Sequence, residues 1–337
     1  MDLVLHAGMH KTGTSSFQKL LRDWEAPPNS EAWVLPSQLN AKNAKKFDPN
    51  WISEKLRSNL RHVIVSHEGL STFSTAHWLS LREAIPSHIE PRIIIVFRPW
   101  QEYLISRWST CCLRRDSNSF HRYIETLLES QTERVELDHS LCIKRPILAG
   151  MRKIECIDYE ANIKKEKSIL PILCRRAGIP AVNISINRNK RPEIDTIEML
   201  RIINGATSEI EQRAQNDLCV SIGEHRPVDR FYDQLKLVEI LGKRNKVLFS
   251  SIREKLMDSK SPIKNQKLNE VIIEKKIDLH QAMSPWIVGE RTANDDNISS
   301  SPNGLFSKLE YQDLEENIKK QIKDEIRTAI YKQRVST

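Results

Sequence analysis

The chain has 337 residues, 39% apolar and 28% charged, with a net charge of +8. That length can bury a sizeable core in one large or two modest domains, and the composition excludes a disordered chain. The positive balance suits an anionic partner but equally describes a solvated basic surface, and the absence of any window near eighteen consecutive apolar residues excludes a membrane span.

The first apolar run is Leu3-Val4-Leu5, followed by a small-residue turn and an amphipathic pattern, Phe17, Leu20, Leu21, Trp24. Four further runs resemble it: Ala32-Trp33-Val34-Leu35, His62-Val63-Ile64-Val65, Ile93-Ile94-Ile95-Val96-Phe97 and Ile154-Glu155-Cys156-Ile157. The runs around 63 and 94 are β-branched and nearly continuous, which predicts strands buried on both faces of a parallel sheet. Helical spacing falls between them, over about 14–24, 51–60, 76–84, 100–115 and 163–177. The alternation predicts an α/β fold with a doubly wound parallel sheet flanked by helices.

After about residue 193 the pattern is helical and heavily charged, over Ile194 to Asn204, 229–242, 246–257, 265–282 and 308–334, with no convincing strand. The polar, turn-rich segment 289–304 reads as a mobile loop. These features divide the chain into an α/β core over 1–204 and a helical region over 205–337. The start of the chain has no basic n-region followed by an apolar h-region, so a cytoplasmic protein is expected. Cys111, Cys112, Cys142, Cys156, Cys174 and Cys219 show neither C-x-x-C nor metal-ligand spacing, which reads as reduced structural thiols and no metal site.

The turn after the first run is HAGMHKTGTSS, His6 to Ser16. A helix start carries unsatisfied N–H groups and partial positive charge, so a strand–turn–helix junction is a natural phosphate site. Gly8 and Gly13 let the backbone approach an anion; Lys11 adds a full charge, and Thr12, Thr14, Ser15 and Ser16 add hydroxyls. The nucleotide P-loop is G-x-x-x-x-G-K-[ST], with its lysine after the second glycine. Here Lys11 precedes that glycine, so the match to a Walker A motif fails. The order resembles instead the 5′-phosphosulfate loop of sulfotransferases that use PAPS (3′-phosphoadenosine 5′-phosphosulfate), and HAGMHKTGTSSFQ is similar to the H-x-G-x-x-K-T-G-T-T-x-x-Q form of bacterial members. The resemblance implies a P-loop-like core in which His10, Lys11, Thr12, Gly13, Thr14 and Ser15 hold the cofactor.

The same family binds the 3′-phosphate with an arginine ending a buried strand and a serine eight residues later in the next helix. IIIVFRPWQEYLISRW supplies Arg98 and Ser106 at that spacing. An arginine at a strand end can fork onto a phosphate, and eight residues are about two helical turns. VIVSHEGL (63–70) and KIECIDYEAN (153–162) resemble further family segments. The basic NRNKRPE segment, 187–193, lies where the family has a basic loop, though its R-K-G form is absent. The resemblance covers about residues 1–204.

It implies in-line sulfuryl transfer to a hydroxyl or amine of a small-molecule or glycan acceptor, with Lys11 at the leaving oxygen. A base is needed from a neighbouring strand end. Glu68 and His67 both stand there, Glu68 supported by family members with a glutamate base and His67 by its ordinary pKa. The alternative is that both residues only cap the next helix or bind each other. Phe97 and Trp100 are aromatic and close by in sequence; either could stack on adenine, with core packing the stronger reading for Phe97. Two other classes stay open: a P-loop nucleotide kinase or NTPase, for which no strand-end Walker B aspartate is found, and a non-enzymatic basic binder of glycan or nucleic acid. No nucleic-acid motif supports the latter.

Overall fold

The structure is a computed structural model and describes residues 1–9, 12–34, 52–53, 56, 60–130, 134–180, 192–217, 238–262, 266–286 and 305–335. His10, Lys11, Cys219, most of the helix expected over 51–60, residues 187–191 of the basic segment, residues 229–237 and the 289–304 loop lie outside the described residues. Two compact units are present and interleave along the chain. One comprises Met1–Tyr103, Thr132–Asn189 and Asn269–Ser300; the other comprises Leu104–Gln131, Lys190–Leu268 and Ser301–Thr337.

The first unit is built on a five-stranded sheet of β1 (Asp2–His6), β2 (Ser30–Val34), β3 (His62–Ser66), β4 (Arg92–Phe97) and β5 (Lys153–Asp158), all parallel, in the order β2-β3-β1-β4-β5. Leu5 pairs with Val65 on one side and Ile93 on the other. All five expected strands form, the three central ones, β1, β3 and β4, being apolar on both pleat faces. Val4, Ile64, Ile94, Val96 and Ile157 pack against Phe17, Leu20 and Leu21 of α1 (Thr14–Asp23) and Ile172, Leu173 and Ala177 of α7 (Leu170–Ala177). The alternate residues Leu3, Leu5, Val63, Val65, Ile93 and Ile95 are equally inaccessible. Each such side chain contributes roughly 1.5–3 kcal/mol by leaving water. The fold is therefore α/β, a parallel sheet flanked by helices.

From β1 the chain runs to β2 at one edge, returns to β3, then crosses β1 to reach β4 and β5. β1 is thus where the winding changes direction, and open α/β sheets bind ligands outside their carboxyl ends at such a point. The other helices of this unit are α2 (Thr75–Ala84), which packs on α5 (Leu141–Leu148), α6 (Tyr159–Glu166) and α10 (Gln266–Met283). The single helix expected over 163–177 is two. Lys167 adopts φ 57 and ends α6, and Ser168 Oγ then accepts from Leu170 N at 3.2 Å before α7. Local hydroxyl bonding outcompetes helix continuation there.

α3 (Trp100–Leu113) begins in the first unit and continues into the second. The second unit also holds α4 (Phe120–Glu129), α8 (Ile194–Asp217), a helical stretch over 238–244, α9 (Lys246–Asp258) and α11 (Glu316–Val335). Its core gathers Ile202, Ile203 and Ala206 of α8, Leu248 and Ile252 of α9, and Ile318, Ile322 and Ile326 of α11. The expectation of no strand after residue 193 is corrected by β6 (Lys260–Pro262) and β7 (Leu305–Ser307), an antiparallel pair. Three residues are too few to carry a period-two pattern. Among the described residues no helix is long and apolar enough to cross a membrane, and Cys111, Cys112, Cys142, Cys156 and Cys174 are reduced thiols.

Candidate functional site at the carboxyl ends of the strands

The turn after β1 is shaped by contacts that admit no side chain at its glycines. Ala7 N donates to Ile94 O at 2.9 Å and His67 N to His6 O at 3.1 Å, so β1 stays laddered to both neighbours up to the point where it turns. A Cβ on Gly8 would lie 2.3 Å from Thr14 Oγ1 and 2.9 Å from His6 Nε2. Gly13 has φ +85, and a Cβ there would lie 2.6 Å from Ile169 Cγ2. Both positions require glycine, the second for conformation as well as space. Thr12 Oγ1 donates to Met9 O at 2.6 Å, and Thr14 Oγ1 reaches the same carbonyl at 3.5 Å. Thr12 and Thr14 are buried and Ser15 is exposed. Gly13, as N-cap, leaves the first turn of α1 without a side-chain cap, which suits an anion near its N–H groups. His10 and Lys11, the cations of this turn, lie outside the described residues.

At the end of β3, Ser66 Oγ and His6 Nδ1 are 2.8 Å apart, both buried. Gln18 Nε2 donates to Ser66 O at 3.3 Å and so ties α1 to this strand end. His67 is buried and its Nδ1 accepts from Gly69 N at 2.9 Å, capping the 3₁₀ turn Glu68–Thr72. That lone pair is committed to the backbone, as the capping reading expects. Glu68 opens the same turn and is half-buried. It lies near enough to His6 to favour the imidazolium, but burial dominates and pulls the His6 pKa down to about 4.

β4 runs into Arg98. Its Nη2 donates to Glu102 Oε2 at 3.1 Å, and the guanidinium carbon lies 5.4 Å from the ring centre of Tyr159, at the start of α6. Next in the chain, Trp100 stacks on His139 at 4.2 Å with the rings 4° apart, while Tyr103 meets His139 edge-on at 4.9 Å. His139 thus covers one face of Trp100, and both Trp100 and Phe97 are buried. Burial alone pulls the His139 pKa down to about 3. Glu160 has its pKa raised, first by burial and further by Glu102 and Asp158, with Lys164 and Arg98 opposing. Arg98 is therefore paired with Glu102 and within electrostatic range of Glu160, a feature that spacing rules do not reveal.

β3, β1 and β4 are neighbours in the sheet, so three predicted clusters share one edge: His67 and Glu68, the turn from Gly8 through Thr12, Gly13 and Thr14 to Ser15, and Arg98. Ser106 lies on the part of α3 that belongs to the second unit; it is buried, and its carbonyl accepts from Thr110 Oγ1 at 2.9 Å. Sequence reasoning gave no role to His6, Ser66, Gln18, Glu102 and His139, although His6 and Gln18 are fixed positions of the quoted loop pattern and Ser66 lies in the quoted VIVSHEGL segment. Among the described residues no group of three or more His, Cys, Asp or Glu side chains is placed to hold a metal ion. Comparison with protein-family models, curated proteins and solved structures finds no match to this chain.

Proposed function

We propose that the protein is a sulfotransferase that takes PAPS as donor and sulfates a hydroxyl or amine, carbohydrates included, on a P-loop-like core. The observation that carries this reading is the adjacency of β3, β1 and β4. That order brings the glycine turn, Glu68 and Arg98 to the carboxyl edge of one sheet. The turn fits a phosphate group: its glycines allow backbone approach, α1 has no side-chain cap, and a buried imidazole nitrogen lies beneath it. PAPS would supply an activated sulfuryl group on a phosphate leaving group.

The chain's own residues then divide the work. Thr12, Gly13, Thr14 and Ser15 hold the 5′ end by backbone N–H groups and hydroxyls. Lys11 neutralises the oxygen that gains charge, and Arg98 binds the 3′-phosphate. Glu68 is the better base. His67 spends its Nδ1 on the Gly69 amide, whereas a carboxylate at the first position of the turn accepts a proton without breaking that cap.

Thermal unfolding with 3′-phosphoadenosine 5′-phosphate (PAP) tests the reading. PAP is expected to raise the melting temperature, while ATP with magnesium and oligonucleotides leave it unchanged. Stabilisation by ATP with magnesium and not by PAP would overturn it in favour of a nucleotide kinase.

A further inference from the structure

The pairing of β4 with β5 ends on Phe97 opposite Asp158, so the residues that follow, Arg98 and Tyr159, leave the sheet at one level of its carboxyl edge. The backbone at Tyr159 is pinned on both sides. Asp158 Oδ1 accepts from Ala161 N at 2.9 Å and caps α6, and Asn162, 1% exposed, donates from Nδ2 to Asp158 O at 2.6 Å. The Tyr159 side chain is half-buried and packs against the core that holds Ile157 and Ile169. It is a fixed surface.

The Arg98 guanidinium lies over that ring, its central carbon 5.4 Å from the ring centre, inside the roughly 6 Å reach of a cation–π contact. Glu102 Oε2 accepts from Nη2 at 3.1 Å. These two contacts constrain different things. One hydrogen bond leaves a planar guanidinium free to turn about it, whereas a ring face restrains the plane itself. They also respond differently to an incoming phosphate. Glu102 carries the phosphate's sign and competes with it for the fork; the ring is neutral and gives up nothing when the carboxylate yields. A long side chain that is already ordered loses less rotamer freedom on binding.

We infer that Tyr159 is a positioning residue for Arg98: its ring face holds the guanidinium plane at the carboxyl edge, so that a nucleotide 3′-phosphate meets a fork already ordered. This rests on the PAPS-enzyme reading above. Tyr159 acts through Arg98, by its ring and not by its hydroxyl.

The test is calorimetry on the full chain with PAP and with adenosine 5′-phosphate (AMP), which lacks the 3′-phosphate. Tyr159→Leu is expected to weaken PAP binding about fivefold, as for one lost cation–π contact, and to leave AMP binding unchanged. Tyr159→Phe keeps the ring and is expected to bind PAP as the wild type does. Arg98→Gln is expected to weaken PAP binding further than Tyr159→Leu, and adding Tyr159→Leu to it to cost nothing more. Should Tyr159→Leu not fold, the unbranched Tyr159→Met replaces it in every arm. Equal losses for PAP and AMP, a Tyr159→Phe variant as weak as Tyr159→Leu, fully additive losses, or unchanged PAP affinity in Tyr159→Leu would each overturn the inference and leave the sulfotransferase reading intact. A wild-type protein that gives no heat with PAP overturns that reading, and this inference with it.

Discussion

Arg98 holds Glu102 one helical turn ahead of it, Nη2 to Oε2 at 3.1 Å, with the arginine side chain 19% and the glutamate 42% exposed. A half-exposed i,i+4 pair contributes little to stability, about 0.3–0.5 kcal/mol. Its effect on a bound phosphate is larger, because Glu102 has the phosphate's sign and occupies one arm of the guanidinium. Glu102→Gln is expected to tighten PAP binding several-fold, to shift the melting temperature little, and to enlarge the loss of affinity with added salt. Calorimetry at two ionic strengths checks this, and unchanged or weaker affinity would sink the idea that Arg98 faces the nucleotide.

Glu68 and His67 can be separated because they do different things in the structure. His67→Asn keeps a side-chain acceptor for the Gly69 amide, so the turn is retained; His67→Ala removes it at a cost of about 1 kcal/mol. Glu68→Gln keeps shape and removes the base. The expected pattern is wild-type PAP binding in all three, with turnover lost only in Glu68→Gln. PAP release from PAPS over a panel of hydroxyl and amine acceptors reads it out. Full turnover in Glu68→Gln together with loss in His67→Asn would exchange the two roles.

The two turn glycines respond differently to alanine. Gly13→Ala forces a side chain into φ +85 and against Ile169, which belongs to the core under α1. A loss of about 1–3 kcal/mol in stability is expected, measured by denaturant unfolding. Gly8→Ala meets Thr14 Oγ1 and the His6 ring, so the damage falls on the turn and the anion affinity drops more than the stability. Equal stability losses in the two variants, with affinity preserved, would contradict the geometry.

What the sequence disclosed and what it hid follow from the range of the forces involved. Ile93 to Val96 and Val63 to Val65 read as strands because burial on both faces demands apolar residues at every position, a local signature. The glycine turn was legible for the same reason. α4 was overlooked although Ser119 caps it and Phe120, Ile124 and Leu127 line one face; α5 was overlooked because Pro146 lies inside it. The His6–Ser66 pair joins residues sixty positions apart, and the His139–Trp100 stack joins a loop to a helix start. Such pairs exist through the sheet order, which no window on the chain contains.

Acid sensitivity of the first unit should come from His6 and His139. Both are fully buried and neutral, with pKa values pulled from 6.5 down to about 4 and about 3 by burial. Glu68 is the charged group that opposes the shift at His6; the rings packed around His139 are Phe97, Trp100 and Tyr103. A depressed histidine binds its proton in the unfolded chain before the folded one, so stability rises with pH in that window. The loss begins as pH falls below about 6.5 and continues to about pH 3–4, reaching on the order of 3 kcal/mol for His6 and 5 kcal/mol for His139. Above about pH 7.5 neither contributes. Denaturant unfolding at pH 7.5, 6 and 5 measures the slope. His139→Phe keeps an aromatic partner for Trp100 and removes two buried nitrogens that have no hydrogen bond among the described residues. It is therefore expected to raise stability at pH 7.5 and to flatten the slope below pH 6.5. An unaltered slope in that variant would show that His139 is already charged, or already bonded, in the folded protein.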